Sequence, residues 1–163
     1  MTDRMAALRR SMALRHGGSF LRSAGSDEAW LEGVRRRAYA DLFDAIWGGW
    51  DEARHSRQFS ESMKRGNISI IEVDGERVGM VQLIEDSDAL EVGEIQIHPR
   101  HQNQGLGTSV LRDVISSARA QGRDVRLSVG LKNETAIKLY ERLGFLSVGR
   151  SDSHLHMKYG APD

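Results

Sequence analysis

The sequence contains no cysteine. Disulfides, a thiolate nucleophile and cysteine-ligated zinc are therefore excluded, and nothing points to an oxidising compartment. Net charge is lacking too: 23 basic residues balance 23 acidic ones, so no overall field selects nucleic acid, a membrane or an acidic substrate. Aromatics make up only 6% and are not interleaved with basic residues as a nucleic-acid surface requires. No apolar run approaches the roughly 18–20 residues needed to span a bilayer, and the N-terminus has no signal-peptide apolar core. The expectation is a soluble, cytoplasmic protein with no nucleic-acid or membrane partner. Its 163 residues fit one domain able to bury a core without metal or crosslinks.

What is present divides at a glycine pair. Met1 to Ser19 is rich in arginine, with one acid, Asp3, and ends in Gly17-Gly18-Ser19. It reads as a helical or frayed extension, with the arginine content of a transit peptide. Residues 20–163 read as a single domain. Phe20-Leu21-Arg22 makes a short strand, and Ser26 or Asp27 caps a helix with Trp30, Leu31, Val34, Ala38, Leu42 and Ile46 on one stripe. Arg35-Arg36-Arg37 within it reads as a solvated face. Asp51 caps a second helix that closes at Gly66-Asn67. Between the two, Trp47-Gly48-Gly49-Trp50 either staples the helices together or lines a pocket.

Ile68 to Val73, Asp74-Gly75 and Arg77 to Ile84 predict a hairpin. A strand from Glu91 to Ile97 stops at His98-Pro99, and Leu106, Val110, Leu111, Val114, Ile115 and Ala118 follow at helical spacing. Val125-Leu127-Val129 alternates as another strand, so it should run parallel to the one ending at Ile97. Asn133 caps a further helix ending at Gly144, and Leu146 to Gly149 pairs with Leu155 to Tyr159.

The junction Gln102-Asn103-Gln104-Gly105-Leu106-Gly107-Thr108 is where chemistry enters. The first amides of a helix lack intrahelical partners and carry the positive end of its dipole, so they suit an anion. The dipole supplies only about 0.3–1 kcal/mol, and several N–H bonds must act together on a pyrophosphate. A P-loop needs lysine after its last glycine, where Thr108 stands; the dinucleotide fingerprint needs a small residue where Val110 stands.

Gln-x-x-Gly-x-Gly after a strand ending Ile-x-Ile-His-Pro, with Asn133-x-x-Ala136-x-x-x-Tyr140-Glu141-x-Leu143-Gly144-Phe145 downstream, resembles the GNAT superfamily of acyl-CoA-dependent N-acetyltransferases. The resemblance covers about Ile68 to Tyr159 well and Phe20 to Lys64 loosely. It implies an α/β fold with a mixed, twisted sheet of about six to seven strands and four or so helices. It implies that acetyl-CoA is the donor, with its pyrophosphate at Gln102 to Thr108, its pantetheine along Ile95, Gln96 and Ile97, and Asn133, Ala136 and Tyr140 beside it. Tyr140 is then the general acid, and Trp47, Trp50 and His55 face the acceptor, a small-molecule or peptide amine.

Acetyl transfer requires a deprotonated amine, which for a lysine-like pKa of about 10.4 costs roughly 4–5 kcal/mol at pH 7. Glu94 and Glu91 are the candidate bases. Regular alternation puts them on opposite strand faces, and a bulge at Gly93 would change that. Tyr140, a phenol protonated at neutral pH, can donate to the leaving sulfur. His154 and His156 share a strand face and His98 and His101 flank the cradle, yet without cysteine or a carboxylate at ligand spacing no metal is expected. A non-catalytic acyl-CoA sensor of the same fold is the rival reading, and a homodimer stays open.

Overall fold

The computed structural model describes residues 19–23 and 27–160; the expected extension lies outside them, save Ser19. Seven strands form one sheet in the order β1-β2-β3-β4-β5-β7-β6. They are β1 (Ser19–Ser23), β2 (Ile68–Val73), β3 (Glu76–Glu85), β4 (Ala89–Ile97), β5 (Asp124–Gly130), β6 (Phe145–Arg150) and β7 (His154–Tyr159). Four α-helices accompany them among the described residues: α1 (Glu28–Trp47), α2 (Glu52–Arg65), α3 (Leu106–Ala120) and α4 (Glu134–Leu143). All pairings are antiparallel except β4 with β5. This is the mixed α/β architecture the sequence predicts, and among the described residues no helix is long and apolar enough to cross a membrane.

Local chemistry explains the element boundaries. Asp74 and Gly75 both adopt positive φ, 50° and 82°, which is the two-residue turn whose twist matches a hairpin. Asp51 caps α2 by accepting from the Arg54 amide at 3.0 Å, and Asn133 caps α4 by accepting from the Ala136 amide at 3.3 Å. Asp27 holds the N-cap position of α1 without a side-chain cap bond; its carboxylate receives Arg77 at 3.0 Å. Leu111, Val114, Leu83, Val125 and Phe145 lie in the main core, between α3, α4 and one sheet face. On the other face Leu31 packs with Ile68, Ile70 and Met80 beneath α1 and α2.

Two features of β4 position the site. Its parallel pairing with β5 runs only from Ala89↔Asp124 to Val92↔Leu127, after which the strands part. On its other side the register slips, with Gln82 opposite Glu94 but Leu83 opposite Val92, so Gly93 is the extra residue of a bulge. A Cβ at Gly93 would come within 2.6 Å of the Gln82 side-chain oxygen. Glycine therefore makes room for the Gln82 amide, which donates to the Ser62 and Gly66 carbonyls at 2.9 Å each and ties the end of α2 to the sheet.

Close approach of β3 to β4 is also fixed by glycine, since a Cβ at Gly79 would collide with the Gln96 carbonyl oxygen and touch Ile97. Backbone cannot yield as a flexible side chain can. Gly79→Ala is expected to cost about 1–3 kcal/mol by overpacking, lowering the melting temperature by about 2–4 °C per kcal/mol. Gly33→Ala, within α1 and with open space around it, should instead raise stability by about 0.4–1 kcal/mol. Thermal melts of the two variants check both signs.

Candidate active site

Where β4 and β5 part, a cleft of about 830 Å³ opens. Its floor is Val92 to Ile97 of β4 and Ser128 to Gly130 of β5. One wall is α1, through Tyr39, Leu42, Phe43, Ile46 and Trp47; the opposite side carries Asn133, Ala136 and Tyr140. Backbone groups of β4 beyond Val92 have no β5 partner to pair with, so this inner edge offers a hydrogen-bonding ladder to an extended ligand.

The glycine loop continues from that edge. After a single 3-10 turn at Pro99–His101, the Gln102 side-chain Nε2 donates back to the Ile97 carbonyl at 2.9 Å. Asn103 and Gly105 take positive φ, 61° and 77°, and the first intrahelical bond of α3 runs from the Ser109 amide to the Gly105 carbonyl at 3.0 Å. The amides of Leu106, Gly107 and Thr108 precede it, at the positive end of a helix of 15 residues. A Cβ on Gly105 would meet nothing within 4 Å; what demands glycine there is the left-handed backbone. Gln104 and Gly105 are exposed, leaving the loop open to a phosphate.

The two candidate bases now separate. The bulge at Gly93 brings Glu91 and Glu94 onto the α2 side of the sheet, where Glu91 takes Arg65 at 3.0 Å and Glu94 takes the Ser62 hydroxyl at 3.2 Å. Glu94 also meets Arg35 at 3.5 Å and Gln96 at 3.5 Å, and it lines the cleft. Glu91 stands outside the cleft lining, in a half-exposed ion pair.

Arg35 corrects the reading of Arg35-Arg36-Arg37 as one solvated face. It is only 5% exposed, donates to Gln58 at 3.1 Å as well as to Glu94, and lies 4.9 Å from the centre of the Tyr39 ring. Arg36 bridges Glu32 and Glu52, at 2.6 and 2.5 Å, and Arg37 reaches His98 before the glycine loop at 3.1 Å. Tyr39 was not foreseen either: it lines the cleft beside Glu94 and Gln96. Burial, then the negative charge of Glu94, raises its pKa. The signal available was its place on the α1 stripe, one residue beyond Ala38.

Tyr140 lies buried at the cleft with its ring 5.8 Å from Phe145. Burial, with the nearby Tyr39, raises its pKa well above the ordinary phenol value, so its hydroxyl stays protonated throughout the physiological range.

Of the acceptor-pocket residues expected, Trp47 lines the cleft and is 40% exposed. Trp50 and His55 do not line it; they stand behind the wall. Trp50 stacks on Phe43 at 4.6 Å and His55 lies 4.8 Å from Trp50, fully buried. The indoles thus divide the two uses between them, because Gly48 and Gly49 reverse the chain and turn Trp50 inward. Burial lowers the His55 pKa. Ligand atoms of Glu32, Glu52 and His55 lie within 4.8 Å of one another, but Arg36 already donates to both carboxylates.

A cleft at the parting of two parallel strands, entered from a glycine loop that starts a helix, is the architecture of the acyl-CoA-dependent acetyltransferases. The sequence model of the Acetyltransferase (GNAT) family matches residues 35–145, and the chain belongs to that family. It is 31% identical to an uncharacterized N-acetyltransferase of Methanocaldococcus jannaschii over 66% of this chain and 54% of that protein. It is 32% identical to N-acetyltransferase 8 of Rattus norvegicus over 50% of this chain and 40% of that one. The chain thus spans about half the length of these curated relatives, or less. Among solved structures, the PaiA N-acetyltransferase of Thermoplasma acidophilum in complex with coenzyme A matches with a TM-score of 0.72 and 17% identity, covering 88% of this chain and 99% of that one. The ribosomal-protein-S18-alanine N-acetyltransferase of Escherichia coli matches at 0.62 and 21%, over 86% and 92%. At such identities the structures show a shared fold alone.

Removing the Glu94 charge would leave Arg35 buried without a carboxylate. Glu94→Gln should lose up to about 3–5 kcal/mol, as for other broken buried pairs, whereas Glu91→Gln should change stability by less than about 1 kcal/mol. Denaturant titration of both variants checks the contrast.

Proposed function

We propose that the chain transfers an acetyl group from acetyl-CoA to a primary amine by direct attack. The observation that carries this reading is the unpaired inner edge of β4, which leads straight into the glycine loop and faces Tyr140 across the cleft. Pantetheine amides pair with the backbone of Gly93 to Ile97, as an added strand would. The pyrophosphate sits on the amides of Leu106, Gly107 and Thr108, with Gln102 to Gly105 around it. Asn133 and Ala136 flank the thioester end.

With the thioester so held, the amine nitrogen attacks the acetyl carbon, the C–N bond forms and the C–S bond breaks. Glu94 takes the amine proton, directly or through water; Glu91, turned to Arg65, takes no part. Tyr140 donates a hydrogen bond to the departing sulfur. Full proton transfer from a phenol of pKa near 10 to a thiolate near 8.5 would run uphill by roughly 2 kcal/mol even before burial raises the phenol further. Stabilisation followed by solvent protonation is therefore the cheaper course. The absence of cysteine supports a single displacement over a covalent relay through a thiol.

Tyr140→Phe removes the donor while keeping the ring. It is expected to lower kcat by about 10²-fold, the scale of one lost donor to developing charge, with the calorimetric Kd for acetyl-CoA changed less than about twofold. An unchanged kcat removes Tyr140 from the mechanism, and failure of the parent protein to bind acetyl-CoA or CoA removes the reading altogether.

A further inference from the structure

The wall of α1 says what kind of amine the cleft takes. Tyr39, Leu42, Phe43, Ile46 and Trp47 recur at helical spacing and all line the cleft. Only Phe43 among them is deeply buried as part of the protein's own packing, at 2% exposure; Leu42 and Ile46 are part-exposed and Trp47 is 40% exposed. The polar residues of the same helix segment, Asp41 and Asp44, are exposed and stand outside the cleft lining. From Tyr39 to Trp47 this stripe runs about 12 Å at 1.5 Å per residue. Its Tyr39 end is the one beside Glu94.

Charge argues in the same direction. Arg35, Arg54 and Lys132 line the cleft against two carboxylates, Glu94 and Asp152, among the described residues. Glu94 and Arg35 offset each other as an ion pair at 3.5 Å, and Glu94 also accepts from Ser62 and Gln96. At the far end of the stripe the Arg54 guanidinium lies 4.1 Å over the Trp47 ring, where a second ammonium of a long polyamine would have to rest. Arg54 is already paired with Asp51, which stands outside the cleft lining, at 3.5 Å, so this end holds a compensated ion pair that gives a second ammonium little to gain.

We propose that the acceptor is an apolar monoamine: a primary amine on an alkyl or arylalkyl body that lies along Tyr39, Leu42, Ile46 and Trp47, with no second positive charge. This rests on the transferase reading and names its substrate class. The amine is held at the Glu94 and Tyr39 end, facing the thioester, and its body displaces water from the stripe. Each methylene laid on the stripe should raise kcat/KM about three- to fourfold, until the stripe is covered.

The test is a thiol-release assay with acetyl-CoA and a panel of propylamine, hexylamine, octylamine, phenylbutylamine, putrescine, spermidine and a short peptide with a free N-terminus. The expected result is a rise through the alkyl series, with putrescine and spermidine at least tenfold below hexylamine and octylamine. Leu42→Ser and Ile46→Ser, at part-exposed positions and verified as folded by their melts, should flatten the rise with chain length. Preference for spermidine, putrescine or the peptide, or a flat alkyl series, overturns the apolar-monoamine assignment and leaves the transferase reading standing. Turnover of no amine overturns both.

Discussion

The structure depends on an interrupted ladder. Parallel strands in the middle of a sheet normally satisfy each other's backbone groups, and an unpaired stretch of amides is costly wherever water cannot reach it. Here β4 and β5 pair over Ala89 to Val92 and then separate, leaving the C-terminal half of β4 as an edge inside the sheet rather than at its border. Such an edge is a template for another extended chain. In this protein it is flanked by α1 and α4 and runs into the start of α3, an arrangement that suits the proposed extended ligand with an anionic end.

Gly93 connects this opening to the rest of the molecule. As the bulged residue it turns Glu94 toward α1 and α2, and the space its missing side chain leaves is taken by Gln82. Gln82 holds the end of α2, α2 presents Ser62 to Glu94, and α1 presents Arg35 to the same carboxylate. The helix wall and the strand floor are therefore joined through one buried charge cluster. That cluster sits beside the cleft, so the groups that fix the wall's position are also those beside the proposed site of transfer. Tyr39, under Arg35, and Tyr140 face each other from the two sides.

Much of this was legible in the residues. Asp74-Gly75 announced its hairpin, the helix from Leu106 and the strand after Gly122 announced the crossover, and Gln102 to Gly107 with Asn133 to Phe145 announced the family. Local rules govern each of those, since turns, caps and periodicity act within a few residues. What escaped notice depends on distant contacts. Alternation could not decide between Glu91 and Glu94, because a bulge resets parity and shows itself only against the partner strand. Arg35 looked like its neighbours until β4 supplied Glu94 beneath it. Trp50 and His55 belong behind the wall because of how the Gly48-Gly49 turn directs the chain, which composition does not reveal. Tyr39 was hidden in plain periodicity: the stripe was visible, but not that half of it faces a cleft instead of a core.

The account's central claim is that the inner edge of β4 and the start of α3 bind one ligand together. Backbone hydrogen exchange with and without acetyl-CoA tests it most directly. The account predicts protection gained together in two short stretches, Gly93 to Ile97 and Leu106 to Thr108, with little change at the β1 and β2 end of the sheet. Binding without protection of β4, or protection confined to another face, would contradict it.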